Sequence, residues 1–315
     1  MFVLQGTLAG YKNLLPTLVS NSEFTLTVAN RIYLQNGFKP KRKFKKTLRK
    51  YFYATAVETD FRKSTAAAKQ MNNWVEKVTK DKIKKFVDPR MLGPATKMVL
   101  INAIYFKGDW KKKFDVALTK EKEFLTESGH KIKVPTMHLK GKIELAVLEK
   151  LKSKVLRLPY KGDRIVMDIV LPDDKNGLKV LEQKLKTLDE KDLLSESILH
   201  KEVIVDLPKF KLEKTWSNLK VILEGLGIKE IFHGGLQGIA NGPLVVSDVI
   251  QKAFIEVDET GSEASAATGV FMKFRSMMLD SEEIHFKADH PFLFLVRDTQ
   301  TNLLLFRGRV SDPSK

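Results

Sequence analysis

In the run EFTLTVANRIYL, residues Phe24, Leu26, Val28, Asn30, Ile32 and Leu34 fall on one row in steps of two, which predicts a sheet strand. The period then changes. Phe44, Leu48, Tyr51 and Phe52 stand at i, i+4, i+7 and i+8, the spacing of a short amphipathic helix. From Ser64 onward Ala67, Met71, Trp74, Val75 and Val78 give a second helix one apolar face. MVLINAIYF, residues 98–106, reads as a buried run interrupted only by Asn102. Short strand-like segments follow: VLRLPY turning at Lys161-Gly162-Asp163 into RIVMDIVLP, then VIVDLPKF, LVVSDVIQKAFIEV, PFLFLVRD and NLLLFRGRV. Among them LKVLEQKLKTLDEKDLL and WSNLKVILEGLGI are helical by period, the second ended by Gly225 and Gly227. With no internal repeat and no low-complexity linker, the expectation is one α+β domain over residues 1–315.

Composition narrows the chemistry. A chain of 315 residues with 43% hydrophobic and 30% charged positions is globular, long enough to bury a sizeable core. It has no cysteine, which excludes a thiol nucleophile, a CxxC redox pair, an iron–sulfur cluster and a thiolate zinc site. Residues 98–106 are about half the length that spans a bilayer, so no membrane helix is expected. MFVLQGTLAGYKNLL lacks the basic leader and continuous apolar core of a secretion signal, leaving a mature form, a fragment or a cytosolic protein.

The 55 Lys and Arg against 38 Asp and Glu give a net charge of +17, and residues 39–85 carry most of the excess. FKPKRKFKKTLRK holds eight basic residues from Lys39 to Lys50 and no acid. Two readings are open: a solvated helix face, or a patch in which Lys41, Arg42, Lys45, Lys46 and Arg49 bind a polyanion in a salt-sensitive manner. Nucleic acid is disfavoured because no stacking aromatics are interleaved at a motif spacing. Enzyme motifs are missing too. There is no GxSxG, HExxH, Walker A or GxGxxG, and the histidines at 130, 138, 200, 233, 285 and 290 show no ligand spacing, so neither catalytic residues nor a metal site are expected. His290 reads as a turn or core histidine, and Asp173-Asp174-Lys175-Asn176-Gly177 as a plain turn instead of a calcium loop.

The segment after KAFIEV is of another kind. Residues 261–269, GSEASAATG, are small and carry one charge, too slight for a core strand and poorly patterned for a surface helix. In steps of two, however, Ser262, Ala264, Ala266, Thr268, Val270, Met272 and Phe274 form an uncharged row, opposite Glu263, Ser265, Ala267, Gly269, Phe271, Lys273 and Arg275. A loop with this alternation is competent to become a strand, and releases free energy if it is freed to join a sheet.

TVANRIYLQNGF, AAAKQMNNWVEKVTKDKI, VLINAIYFKGDW with Phe114, VLRLPYKGD, VDLPKFKLE, KAFIEVDETGSEASAAT and HFKADHPFLFLVRDTQTNLLLFRGRV together resemble the serpin family, from about residue 10 to residue 312. The resemblance implies a central mixed β-sheet with a second packed sheet, surrounding helices and an exposed reactive-centre loop at about residues 259–280. In such a protein a serine protease attacks the loop as substrate, and insertion of the loop as a new strand traps the acylated protease. The hinge is then Gly261, Ser262, Glu263, Ala264, Ser265, Ala266, Ala267 and Thr268; the family's spacing from Gly261 places the bait bond at Arg275–Ser276, which suits a trypsin-like protease. Phe274 is the neighbouring bait for a chymotrypsin-like one. The resemblance further implies a monomer with no required cofactor, a heparin-like polyanion as an optional accelerator, and an extracellular location, with a cytoplasmic one as the alternative. Two departures stand out. By the resemblance, the chain is expected to begin after the family's N-terminal helices and to lack one strand of the second sheet. In the sheet-opening region, Asn102 is expected to lack its usual serine partners, and Gln251 stands where a histidine is common. These departures motivate the alternative of a non-inhibitory binding or chaperone module, or an inactive truncated product.

Overall fold

The computed structural model describes residues 2–17, 24–186, 199–260 and 284–315. The hinge from Gly261 to Thr268, Phe274, the bond Arg275–Ser276 and the last part, residues 187–194, of the helix expected over 178–194 lie outside the described residues. The chain begins with helix α1 (Phe2–Thr17), strand β1 (Phe24–Gln35), α2 (Arg42–Phe52), β2 (Thr55–Thr59), α3 (Ser64–Val78) and β3 (Met98–Gly108). Next come β4 (Lys120–Leu125), β5 (Lys131–Leu148), β6 (Ser153–Pro159), β7 (Ile165–Pro172), α4 (Leu178–Leu185), β8 (Leu199–Pro208) and β9 (Phe210–Trp216). The remainder is α5 (Leu219–Gly225), α6 (Glu230–His233), β10 (Asp248–Val257), β11 (Ile284–Lys287), β12 (Phe292–Asp298) and β13 (Leu303–Val310). Two compact units result, Met1–Phe106 with Leu212–Ile255, and Lys107–Lys211 with Glu256–Lys315.

A five-stranded sheet in the order β2-β1-β3-β10-β9 organises the first unit. The single apolar row expected of β1 is only half of what it buries. Ala29 and Tyr33, from the opposite row, pack with Met71 and Val75 of α3 and with Val99, Ile101 and Tyr105 of β3. Leu34 meets Met98, Phe232 and Leu244 in a separate cluster, while Val28 is 37% exposed. Both faces are therefore covered along part of the strand, and strict alternation does not survive such an environment. β10 is also shorter than LVVSDVIQKAFIEV suggests: Leu244 and Val246 precede it as buried loop residues of that second cluster. α2 runs as its spacing predicts, with Leu48 buried and the Phe52 ring 5.3 Å from that of Tyr11. It stops at Tyr53, whose φ of +49° is left-handed, and the N–H of the next residue, Ala54, caps the Leu48 carbonyl at 3.2 Å.

An eight-stranded sheet in the order β11-β8-β5-β6-β7-β12-β13, with β4 on β5, organises the second unit. β6 and β7 form the antiparallel pair expected from the sequence, with Gly162 and Asp163 at φ +84° and +60° in the turn and Tyr160 N–H donating to Ile165 O at 2.9 Å. Every residue of β7 and of β12 is buried. Asp168 lies within this apolar layer, wholly buried, because its two oxygens accept from Arg157 Nε at 2.7 Å and Arg297 Nε at 3.0 Å.

Candidate functional site

In the first unit β3 and β10 are neighbours and run parallel, in a register that extends from Asp248 opposite Val99 to Ile255 opposite Phe106. Asn102 and Gln251 are directly opposite each other. Gln251 Nε2 donates to Asn102 Oδ1 at 2.9 Å, and Asn102 Nδ2 donates to Asn30 Oδ1 of β1 at 2.8 Å. Three carboxamides thus tie three adjacent strands in a row. Asn102, expected to lack serine partners, has Asn30 and Gln251 in their place. Asn30 was legible only as the one polar member of the row from Phe24 to Leu34. None of the three side chains titrates near neutrality, so this junction is insensitive to pH in a way that a histidine at position 251 would not be. Lys252, the next residue, is buried, and its ammonium donates to Lys84 O at 2.9 Å and pairs with Glu213.

In the second unit residues 258–260, which lead out of β10 toward residue 261, are clamped. Trp110 N–H donates to Thr260 O at 2.9 Å and its Nε1–H to Asp258 O at 2.8 Å, while Phe114 N–H donates to Glu259 O at 2.9 Å. The Trp110 ring is stacked on Tyr160 with centroids 4.2 Å apart, so the clamp is backed by the β6–β7 turn. Thr260 N–H and Oγ1–H both donate to Asp258 Oδ1, at 3.0 and 2.8 Å. Glu259 is 6% exposed; Oε1 accepts from Thr119 Oγ1–H and Oε2 from the Lys209 ammonium, both at 2.8 Å. Sequence reading missed Thr119 and Lys209 because they are remote in the chain and unremarkable in type.

Burial alone would raise the Glu259 pKa, but the Lys209 ammonium, the Thr119 hydroxyl and a backbone N–H outweigh it and leave the carboxyl below its ordinary 4.5. A carboxyl depressed on folding contributes stability that is complete above the unfolded value and is lost as pH falls through the folded one. Glu259→Ala is therefore expected to cost about 2 kcal/mol at pH 7, toward the low end for a broken pair because Lys209 keeps partial access to solvent. Urea unfolding of both chains checks this, and the difference should narrow as the buffer is taken below pH 4.5.

The five basic residues singled out in the sequence are all exposed: Lys41 immediately before α2, and Arg42, Lys45, Lys46 and Arg49 within it. His290 is a satisfied core histidine, its Nδ1 2.7 Å from Asp289 Oδ1 and its Nε2 2.8 Å from Pro172 O. Asp174 closes the turn expected at residues 173–177, accepting from Asn176 N–H through Oδ1 at 2.8 Å and from Gly177 N–H through its carbonyl at 2.9 Å.

Comparison with known proteins places this geometry. A family model described as serpin (serine protease inhibitor) matches residues 5–313. Antichymotrypsin-2 and antitrypsin of Bombyx mori are 39% and 37% identical over 286 residues each, covering 90% of this chain and 75% and 72% of those proteins. The crystal structure of Serpin48, a highly specific serpin of Tenebrio molitor, superposes with a TM-score of 0.85 at 36% identity, covering 96% of this chain and 80% of that one.

Proposed function

Because this chain belongs to the serpin family, we propose that it inhibits a trypsin-like serine protease irreversibly, offering Arg275–Ser276 as bait and inserting the segment from Gly261 onward between β3 and β10. The observation that carries this reading is the parallel pairing of β3 and β10. A segment that follows β10 and doubles back on it runs antiparallel to β10, and hence antiparallel to β3 as well. Insertion exchanges one parallel ladder for two antiparallel ones, and antiparallel pairing is the slightly more stable of the two per residue. The uncharged row from Ser262 to Phe274 supplies side chains that enter a sheet face without burying a charge.

The chemistry of the trap is that of a substrate whose second step fails. The protease serine attacks the Arg275 carbonyl, the amide to Ser276 breaks, and Arg275 is left as an ester on the protease. Insertion then carries the ester away from the protease's own oxyanion donors before water hydrolyses it. Arg275 fits a specificity pocket with a buried acid at its base. The test is incubation with trypsin-like and chymotrypsin-like proteases followed by denaturing electrophoresis. A denaturant-resistant complex with the trypsin-like protease, lost in Arg275→Ala, is expected. Cleavage without complex by every protease would favour the non-inhibitory module, and a complex only with the chymotrypsin-like protease would move the bait to Phe274.

The exposed cations of α2 support a polyanion accelerator. Arg49 and Lys50 lie in the last turn, where the helix dipole favours them, whereas the first turn contains no acid and begins at Arg42 beside Lys41, where the dipole opposes cations. A sulfated polymer along this face relieves that repulsion and also brings a basic protease into proximity. Inhibition rates should rise and then fall across a heparin series, with the peak shrinking in high salt; an unchanged curve after neutralising Lys41, Arg42, Lys45, Lys46 and Arg49 would leave a solvated helix face.

A further inference from the structure

In the second unit a pocket of about 350 Å³ lies beside the bend of β5, with Trp110, Leu139, Ile143 and Leu158 as its apolar walls. Its volume lies within the range of small-ligand sites. The polar lining is almost wholly cationic: Lys111, Lys112, Lys142 and Arg157, against Glu144 as the single acid. Lys111 is committed to Asp163 and Arg157 to Asp168, each at 2.7 Å, which leaves Lys112 and Lys142 as the cations open to a ligand. Lys112 reaches across to donate to Lys140 O at 3.1 Å, and its ammonium fills the space over Gly141 where any Cβ would collide with it. Gly141, at φ +150°, is what lets the lysine settle there. Lys142 is exposed, with Glu202 opposite it on β8 but no ion pair formed among the described residues. Arg157 shares Asp168 with Arg297 and stands 3.4 Å from Glu144, and its Nη2 is buried with no hydrogen-bond partner among the described residues.

We propose that this pocket binds a small organic anion with a flat apolar body, an aryl carboxylate or aryl sulfonate. The hydrocarbon is taken up by the leucine, isoleucine and tryptophan walls, and the anion by Lys112 and Lys142 at the rim, where charge-assisted hydrogen bonds are the strong ones. Neither half of the lining selects such a ligand alone. A bare inorganic anion leaves the apolar walls wet, and an uncharged ring leaves the cations unpaired. Because Trp110 forms one wall and also holds the carbonyls of Asp258 and Thr260, an occupant touches the residue that fixes the root of the loop. Binding itself does not depend on the protease reading.

The experiment is a fluorescence titration of the intact chain with 8-anilinonaphthalene-1-sulfonate, beside N-phenyl-1-naphthylamine, which has the same rings and no sulfonate. One saturable site is expected, with the neutral probe at least about tenfold weaker and with Lys112→Gln/Lys142→Gln lowering sulfonate affinity about tenfold at unchanged circular dichroism. Equal binding of the two probes to the unsubstituted chain overturns the proposal, whatever the variant does. So does a folded double variant with full affinity, or displacement of the probe by inorganic sulfate at matched ionic strength, which would reduce the site to one for bare anions.

Discussion

Mixed with a trypsin-like protease, the Ala266→Glu chain is expected to be cut after Arg275 and released, the yield of trapped complex relative to cleaved product falling about 100-fold. The magnitude follows from a competition between two rates. Insertion and deacylation start from the same acyl intermediate, and the substituted carboxylate must enter the sheet face without a partner. An unpaired buried charge costs several kcal/mol even after relaxation, and about 2.7 kcal/mol at the insertion barrier is a factor of 100. Ser262→Arg falls on the same row and should behave alike, whereas Glu263→Arg, on the opposite row, should leave trapping intact. Complex and product bands on a denaturing gel measure the ratio directly. Equal loss in all three variants would refute the alternation, and with it the register assigned to the inserting segment.

Cutting the chain within residues 261–283 without trapping a protease should raise the thermal midpoint by about 10 °C, the second large effect. For a chain of 315 residues each kcal/mol gained moves the midpoint by about 1.5 °C. A full strand added between β3 and β10 brings a double ladder and the burial of Val270, Met272 and Phe274, together several kcal/mol. Opposing it are the parallel backbone ladder between β3 and β10, for which one of the two new ladders compensates, and the Gln251 Nε2 to Asn102 Oδ1 hydrogen bond across it, worth about 1 kcal/mol net. The gain dominates. Scanning calorimetry before and after limited proteolysis within residues 261–283 checks it, and a midpoint that does not move would mean a sheet that stays closed, as a binding module of this fold requires.

The elements legible in the sequence were those whose environment is uniform along their length. β7 and β12 are buried on both faces and read as apolar runs broken only by Asp168 in the first and by Arg297-Asp298 at the end of the second; α3 has one apolar face, its Met71 and Val75 in the core. β5 escaped notice. Pro135 and Gly141 interrupt KIKVPTMHLKGKIELAVL, and its buried positions slip phase at Thr136–Met137 and again at Leu145–Ala146, so no single period of two describes it. β2 is a five-residue edge strand with mostly half-buried positions, and α1 carries Pro16 and no clear polar face, so neither announces itself. At the site, the serpin resemblance pointed to Asn102 and Gln251 but not to Asn30, and to the segment KAFIEVDET but not to the partners of Glu259. Ion pairs and clamps join residues far apart in the chain, so a linear pattern cannot show them until the sheets have brought them together.

Residues 284–315 contribute three strands to the eight-stranded sheet: β11 lies parallel to β8, and β12 is held between β7 and β13 with all seven of its residues buried. All of these strands follow residues 261–283 in the chain. A nick anywhere between residues 261 and 283 therefore cuts the polypeptide without separating its pieces, because the downstream piece is gripped on several edges by strands of the upstream one. The nicked protein is a noncovalent pair of unequal fragments that co-elutes as a single species until denaturant dissolves the sheet. Any mass measured under native conditions will be blind to the cut, and the downstream peptide will emerge only when the fold is taken apart.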